Sequence, residues 1–523
     1  MVFSPTLWGI PLVLALYYQL HYLGYSPTSS PLPWNSPKRL FLLHEALLPQ
    51  LLIFLACWIP VDDRKLVAAI FLPPLAACYW QLMGAGSLSP ATGYAIGTFV
   101  SSMGLKALEV LVFRDLRGMR RLRECPRERR KEKVEEGELR PSNGWRRAGW
   151  VLELQHNLRG VGWNWCVSIP APSMDGPGVW IAKRVLRGAA LYAWLDFLVF
   201  WIRSLDHGFF LPKGHATGFF PPPVGKPYSS LFAKSIHSTW DFPPPVGFWD
   251  MPIEDGWKRD GYQVALHTLR ILLSASAMFT AISGMYTSVA LVCVSVGTLV
   301  GTTSRGWKRR WFAPEAWPDA FGHWMLGNYG GGIKGWWGKG WHGLFKSIFT
   351  APVHGIVEFF GLDRKGGFAA ALMLTIPFCV SAVLHFCGCW TQSSGGWGAV
   401  RFFLMQPLGI VFETVVAEGY RRFLRPEKRS KWLVRGETVL VYLWAVVWFV
   451  VTSESFFEEY RWGGLWVVEP IPFSFWRWMR GERWKVWVTG EGENIYPPDH
   501  DLSASYDKAD AGHGMDATYT VLD

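Results

Sequence analysis

His385 stands near the end of an apolar segment, 372–389, that closes Val383-Leu384-His385-Phe386-Cys387-Gly388-Cys389. An ionisable side chain in hydrocarbon surroundings is costly, so it is a candidate for chemistry by default, and an imidazole can take and return a proton near neutral pH. The same histidine at an interface can merely cap or snorkel, and position alone leaves both readings open. His342 is the second candidate. It lies in an aromatic, glycine-broken region, 311–346, with Trp317, Phe321, Trp324, Tyr329, Trp336, Trp337 and Trp341. Trp337, Trp341 and Phe345 recur every four residues; on a helix this sets an aromatic face beside His342, with Lys346 a turn beyond. An interfacial aromatic belt accounts for the same composition. Gln406 and Glu413, seven residues apart in the next apolar run, share a helical face from which they can orient a catalytic group or bond within a bundle.

Two other patterns are weaker. His385, Cys387 and Cys389 are metal-ligand types, but alternate residues of a helix point apart and no fourth ligand lies nearby, so no metal is expected. His237-Ser238-Thr239-Trp240-Asp241 has the H-x-x-x-D form of soluble plant-type acyltransferases, a two-domain family without spans, and a match this short arises by chance.

These residues need elements to hold them. Half of the 523 residues are hydrophobic and 32 are tryptophan, which is unlike a soluble globule. Apolar runs at 5–23, 40–59, 66–82, 93–113, 189–202, 264–286, 289–302, 367–385, 400–416 and 439–451 approach the ~20 residues a crossing helix needs. The fold class expected is therefore an all-α, polytopic membrane helix bundle of about 8–10 transmembrane helices. The run at 5–23 lacks a basic leader and a small-residue cleavage site and reads as a retained span. Pro73 and Pro74 would interrupt the third run unless neighbouring helices satisfy the freed carbonyls.

The net charge of +11 comes from loops between apolar runs, which suits a positive-inside topology better than nucleic-acid binding. The stretch 114–150, with Arg114, Arg117, Arg120, Arg121 and Arg123 at its start, is the natural cytosolic loop. The connection 206–260 is broken by Pro221–Pro223 and Pro243–Pro245 and cannot be one helix. Residues 1–490 read as a single membrane-embedded domain, and 491–523 as a polar, disordered tail. The eight cysteines form no dense framework and read as small core residues.

The ordered motifs resemble those of fungal wax-synthase-like proteins of the membrane-bound O-acyltransferase superfamily. In that family a W-P-x-x-F-G segment and a Y-S-L-R-x-F-W-G-x-x-W-H segment precede a helix with the active-site histidine in an S-G-x-x-H setting. Here Trp317-Pro318-Asp319-Ala320-Phe321-Gly322 matches the first, and Ile333-Lys334-Gly335-Trp336-Trp337-Gly338-Lys339-Gly340-Trp341-His342 corresponds to the second. Ser381-Ala382-Val383-Leu384-His385 supplies the third, with alanine for glycine. The likeness extends to 157–165 and 402–413. Gly332, Lys334 and Gly335 replace the customary serine, arginine and acidic residue, and His342 sits where many lipid-making relatives carry asparagine.

The resemblance implies transfer of an acyl group, acetyl above all, from acetyl-CoA to a hydroxyl of a hydrophobic terpenoid or meroterpenoid in secondary-metabolite biosynthesis. Wax-ester, sterol or diacylglycerol synthesis from long-chain acyl-CoA is the nearest rival. His385 would be the base and His342 the second polar group, with Trp337, Trp341, Gln406 and Glu413 lining the substrate site. Lys346, with Arg401 or the Arg364-Lys365 pair, would meet the coenzyme A phosphates. Acyl-CoA is then a co-substrate and no cofactor is bound. The partners are the alcohol, acyl-CoA and membrane lipid; a homo-oligomer stays open, and the endoplasmic reticulum is the family's default membrane. A transporter or scaffold would show similar spans, but no internal repeat is present and charges within spans are sparse. A prenyltransferase would need two aspartate-rich motifs, and Asp62-Asp63 is an isolated pair.

Overall fold

The computed structural model describes residues 39–41, 43–59, 63–86, 90–121, 141, 144–167, 170, 173, 175–205, 256–300, 311–322, 331–393, 395–424, 430–462 and 473–479. The expected span at 5–23, the histidine string at 237–241, the proline-rich part of 206–255 and the tail at 491–523 lie outside them. So do Trp324 and Tyr329.

Helices dominate. Strand β1 (Arg39–Leu40) leads into α1 (Leu43–Trp58) and pairs in parallel with β2 (Ala85–Gly86), which follows α2 (Arg64–Met83). Asp63 caps α2, its carboxylate accepting from the N–H groups of Lys65 and Leu66, so half of the isolated acidic pair serves the helix start. Helix α2 runs through Pro73 and Pro74 without a break. Next come α3 (Pro90–Leu108), prolonged by a π-helical turn (Glu109–Phe113), then α4 (Gly144–His156) and α5 (Pro177–Leu205). Helix α6 (Gly256–Leu299) is followed by a short α7 (Gly332–Gly335) with its own π-helical turn (Trp336–Gly340). The remainder is α8 (Lys346–Phe359), α9 (Gly367–Ser393), α10 (Trp397–Gly419), α11 (Lys431–Thr452), α12 (Glu454–Trp462) and α13 (Phe475–Met479).

Among the described residues six helices are long and apolar enough to cross a membrane: Arg64–Met83, Gly93–Phe113, His267–Leu299, Gly367–Gln392, Trp397–Phe423 and Lys431–Thr452. Two departures from the apolar runs are instructive. The run at 264–286 and the part of 289–302 up to Leu299 are one helix, because the polar pair between them is absorbed: Thr287 is buried and the Ser288 hydroxyl donates to the Gly284 carbonyl at 2.9 Å. The run at 189–202 is the second half of a 29-residue helix whose first half carries Lys183, Arg184 and Arg187.

Outward faces are apolar. Leu404, Leu408, Val411 and Val415 on α10, and Leu440, Leu443, Val447 and Val451 on α11, form exposed stripes at helical spacing. Such surfaces are stable against lipid tails and not against water.

Helices α3 and α9 pack against each other through glycines. Gly93 faces Gln392 and Gly97 faces the Cys387 carbonyl, while Gly388 faces the ring of Tyr94, so the helices run antiparallel. A Cβ at Gly97 would collide with backbone, which explains the small residues four apart on this face. This packing sorts the charges. Arg114 and Arg117 follow α3, Arg364 and Lys365 precede α9, and Arg421 and Arg422 end α10, all at one end of the bundle. Not every base of the predicted cytosolic loop is solvated. Arg114 pairs with buried Glu109 at 2.7 Å, and Arg121 is buried against Glu153 at 2.9 Å.

Candidate active site

His385 lies eight residues before the end of α9. The hydroxyl of Tyr94, on α3, is 2.5 Å from His385 Nδ1, and the Tyr460 hydroxyl, on α12, is 2.6 Å from that of Tyr94. The imidazole stacks on Phe403 with centroids 4.6 Å apart and meets the edge of Phe456 at 5.4 Å. It is thus held on its Nδ1 side by hydroxyls and on its faces by carbon.

His342 reaches the same interior from a different direction. Gly331 and Gly332 enter the cleft between α10 and α11: a Cβ on Gly331 would strike the ring of Tyr442, and one on Gly332 the carboxylate of Glu413. Gly332 also has φ +57°, a conformation that costs glycine nothing. Glu413 accepts from the Ile333 N–H at 2.6 Å, and Gln406 accepts from the Trp337 indole N–H at 3.2 Å. Gln406 and Glu413 therefore both bind this inserted segment. The spacing of Trp337, Trp341 and Phe345 does not come from one helix. The segment leaves helical geometry at Trp341 and a new helix starts at Lys346, because Gly338, Gly340 and Gly343 give continuous helix little support.

A chain of ring contacts joins the two histidines. His342 contacts Trp341 at 5.1 Å, Trp341 contacts Trp337 at 6.0 Å, Trp337 contacts Phe403 at 5.9 Å, and Phe403 stacks on His385. Both histidines are half-buried. His342 Nδ1 finds no hydrogen-bond partner among the described residues. Burial, with the charge of Arg159, pushes His342 down to about 4, so it is neutral at pH 7.

The Trp317–Gly322 segment supports His342 from behind. Phe321 meets both Trp341 and His342 edge-on, and the Gly322 N–H donates to the Gly340 carbonyl at 3.0 Å. Arg159 donates to the carbonyls of Pro318 and Asp319, and the Tyr286 hydroxyl to that of Pro318 at 2.6 Å. Arg184 and Arg187 of α5 hold the Asp319 carboxylate. Burial pushes that carboxyl up, but the two guanidiniums outweigh it and keep it below the usual range.

The predicted cations separate. Lys346 is half-buried and donates to the Gly338 carbonyl at 2.8 Å, which makes it a brace of the inserted segment. Arg401 is exposed in the first turns of α10, whereas Arg364 and Lys365 lie at the far end of α9, about 40 Å away along a 27-residue helix. His385, Cys387 and Cys389 do not converge, and no group of three or more metal-ligating side chains occurs among the described residues. No pattern in the sequence assigns a role to Tyr94, Tyr460, Phe403 or Arg159. A tyrosine flanked by the small residues of an apolar helix, as in Gly93-Tyr94-Ala95-Ile96-Gly97, was the one available signal for the first.

Residues 317–405 match the model of the Membrane bound O-acyl transferase family. The match begins at the supporting segment and includes both histidines, Trp337, Trp341 and Phe403. Acetyltransferase aurG of Calcarisporium arbuscula is 30% identical over 205 residues, covering 37% of this chain and 43% of that protein. Acetyltransferase eriL of Hericium erinaceus is 25% identical over 219 residues, covering 39% of this chain and 50% of that protein. For acetyltransferase fsoF of Humicola fuscoatra the figures are 30% over 133 residues, 23% of this chain and 31% of that protein. The aligned regions thus span half or less of the length of these curated relatives. No solved structure matches.

Proposed function

We propose that this chain, which resembles fungal acetyltransferases and carries a segment of the membrane-bound O-acyltransferase family, transfers an acetyl group from acetyl-CoA to the hydroxyl of a hydrophobic acceptor. The observation that carries the reading is the continuous run of ring contacts that links His342, on an inserted segment, through Trp341, Trp337 and Phe403 to His385 on a crossing helix.

The chemistry follows from that arrangement. His385 Nε2 takes the proton of the acceptor hydroxyl as its oxygen attacks the acyl carbon. The carbon–sulfur bond then breaks, and the proton passes from the imidazolium to the departing thiolate, so the enzyme returns to its starting state. Neutral His342 hydrogen-bonds the thioester oxygen or the acceptor through its ring as charge develops. Trp337, Trp341 and Phe403 exclude water that would hydrolyse the thioester. Gln406 and Glu413 act by holding the segment that delivers these groups, and Lys346 does the same from its other end. Arg364 and Lys365, at the basic end of the bundle, suit the coenzyme A phosphates better than Arg401 at the opposite end.

A rigid terpenoid or meroterpenoid alcohol as acceptor suits the rings around His385, and acetyl as the transferred group follows the relatives named above. The membrane is that of the endoplasmic reticulum. The test is incubation of membranes containing the wild-type chain with labelled acetyl-CoA or palmitoyl-CoA and a panel of terpenoid, sterol and fatty alcohols. Acetylated terpenoid is the expected product. Esters formed only from palmitoyl-CoA would overturn the choice of donor, and no ester from any pairing would overturn the reading as a whole.

A further inference from the structure

We propose that Tyr94 and Tyr460 are positioning residues that fix the tautomer of His385, an assignment that rests on His385 being the base. For Nε2 to accept a proton from the alcohol, the resting proton of the neutral ring must sit on Nδ1. The only polar atom the described residues place on Nδ1 is the Tyr94 hydroxyl, 2.5 Å away. If Nδ1–H donates to the Tyr94 oxygen, that oxygen accepts twice, because the Tyr460 hydroxyl also donates to it at 2.6 Å and so holds it as an acceptor beside the ring. The opposite direction of the chain would leave the proton on Nε2, where the ring could donate but not accept.

The pair also has a role once the ring is charged. When Nε2 takes the alcohol's proton, the imidazolium is faced by Phe403 and Phe456, which offer no lone pair. Its Nδ1–H keeps the Tyr94 oxygen as acceptor, so the charge is formed against a hydrogen bond already in place. The alcohol proton then leaves from Nε2 to the thiolate, and the tyrosines neither gain nor lose one.

Tyr460 is not held there by chance packing. Its neighbour Glu459 accepts from the N–H groups of Gly396 at 2.9 Å and Gly398 at 2.8 Å, which caps the start of α10. The Ser455 hydroxyl donates to the Gly398 carbonyl at 3.1 Å. Helix α12 is thereby locked to the turn between α9 and α10, and Tyr460, almost fully buried, projects from it onto Tyr94. The relay spans three elements that are far apart in sequence.

The experiment compares kcat and KM, per folded protein in detergent, for wild type, Tyr94→Phe, Tyr460→Phe, the double variant and His385→Ala. Tyr94→Phe removes one oxygen from an otherwise intact ring. It should lower kcat roughly ten- to a hundredfold, the worth of a hydrogen bond to a charged group, with both KM values and the thermal midpoint near those of wild type. Tyr460→Phe should show a smaller kcat loss of the same kind. The double variant should be no worse than Tyr94→Phe, because Tyr460 acts only through Tyr94. A Tyr94→Phe enzyme with unchanged kcat beside an inactive His385→Ala would overturn this assignment alone, as would losses that multiply in the double variant. Activity retained in His385→Ala would overturn the base assignment and this one with it. Should Tyr94→Phe fail to accumulate, Tyr460→Phe decides: a kcat loss at unchanged KM supports the relay, and an unchanged kcat overturns it.

Discussion

Glu413, within an apolar helix, accepts a 2.6 Å hydrogen bond from the backbone N–H of Ile333. That one bond ties the start of the inserted segment to α10, seven residues along from the point where Gln406 binds Trp337. Glu413→Leu leaves the buried N–H without a partner and should cost about 1–3 kcal/mol, seen as a lower thermal midpoint in detergent with activity falling in parallel. Glu413→Gln retains a carbonyl acceptor and should lose clearly less. Equal midpoints for Glu413→Leu and wild type would remove the bond from the account.

Gly332 tests the same junction from the other side. Its φ is +57°, and the space a side chain would need is occupied by the Glu413 carboxylate. Gly332→Ala should therefore destabilise by about 1–3 kcal/mol through backbone strain and displacement of that carboxylate. Gly338→Ala, where nothing lies within 4 Å, is the control and should be close to neutral.

Acid should weaken the fold through His342. Burial, with Arg159, lowers this histidine from 6.5 to about 4, so the unfolded chain binds its proton at higher pH than the folded one. Stability is unaffected above about pH 6.5, falls as pH drops towards 4, and levels off below, with a total of about 3 kcal/mol at most. His156, lowered to about 4 by burial and then by Lys106, adds a loss of the same sign in the same window. Thermal midpoints of His342→Asn measured from pH 7 to pH 4 should fall less steeply than those of wild type; parallel curves would contradict the buried, neutral assignment.

Asp319 carries the supporting segment. Asp319→Asn removes the charge that Arg184 and Arg187 share and leaves two partly buried guanidiniums facing each other. A loss of about 1–3 kcal/mol is expected, below the range for fully buried pairs because all three groups retain some exposure. KM for the acceptor should rise with it, since Phe321 would no longer hold Trp341 and His342 in place.

Much of the scaffold was legible because lipid imposes a simple code: apolar runs at 66–82, 93–113, 367–385, 400–416 and 439–451 all lie within long helices. The code fails where polarity is local. The polar residues between 286 and 289 mimic a loop, although Ser288 satisfies itself within the helix. Glycine marks the region 311–346 as broken, and the same property at Gly338, Gly340 and Gly343 ends the helix that the tryptophan spacing suggests. His385 and His342 were visible as residues, but nothing local in the chain announces that Tyr94, 291 residues away, lies against His385. That contact depends on Gly97 and Gly388 closing α3 onto α9, a property of two surfaces and of neither sequence alone.

The central claim is that His385 is the base of an acyl transfer, and turnover of labelled acetyl-CoA with an accepted alcohol tests it most directly, in membranes carrying equal amounts of wild type, His385→Ala and His342→Ala. The account predicts that His385→Ala loses the reaction by a factor of about 10² or more, while His342→Ala keeps a measurable rate. Product formed by His385→Ala at the wild-type rate would contradict it.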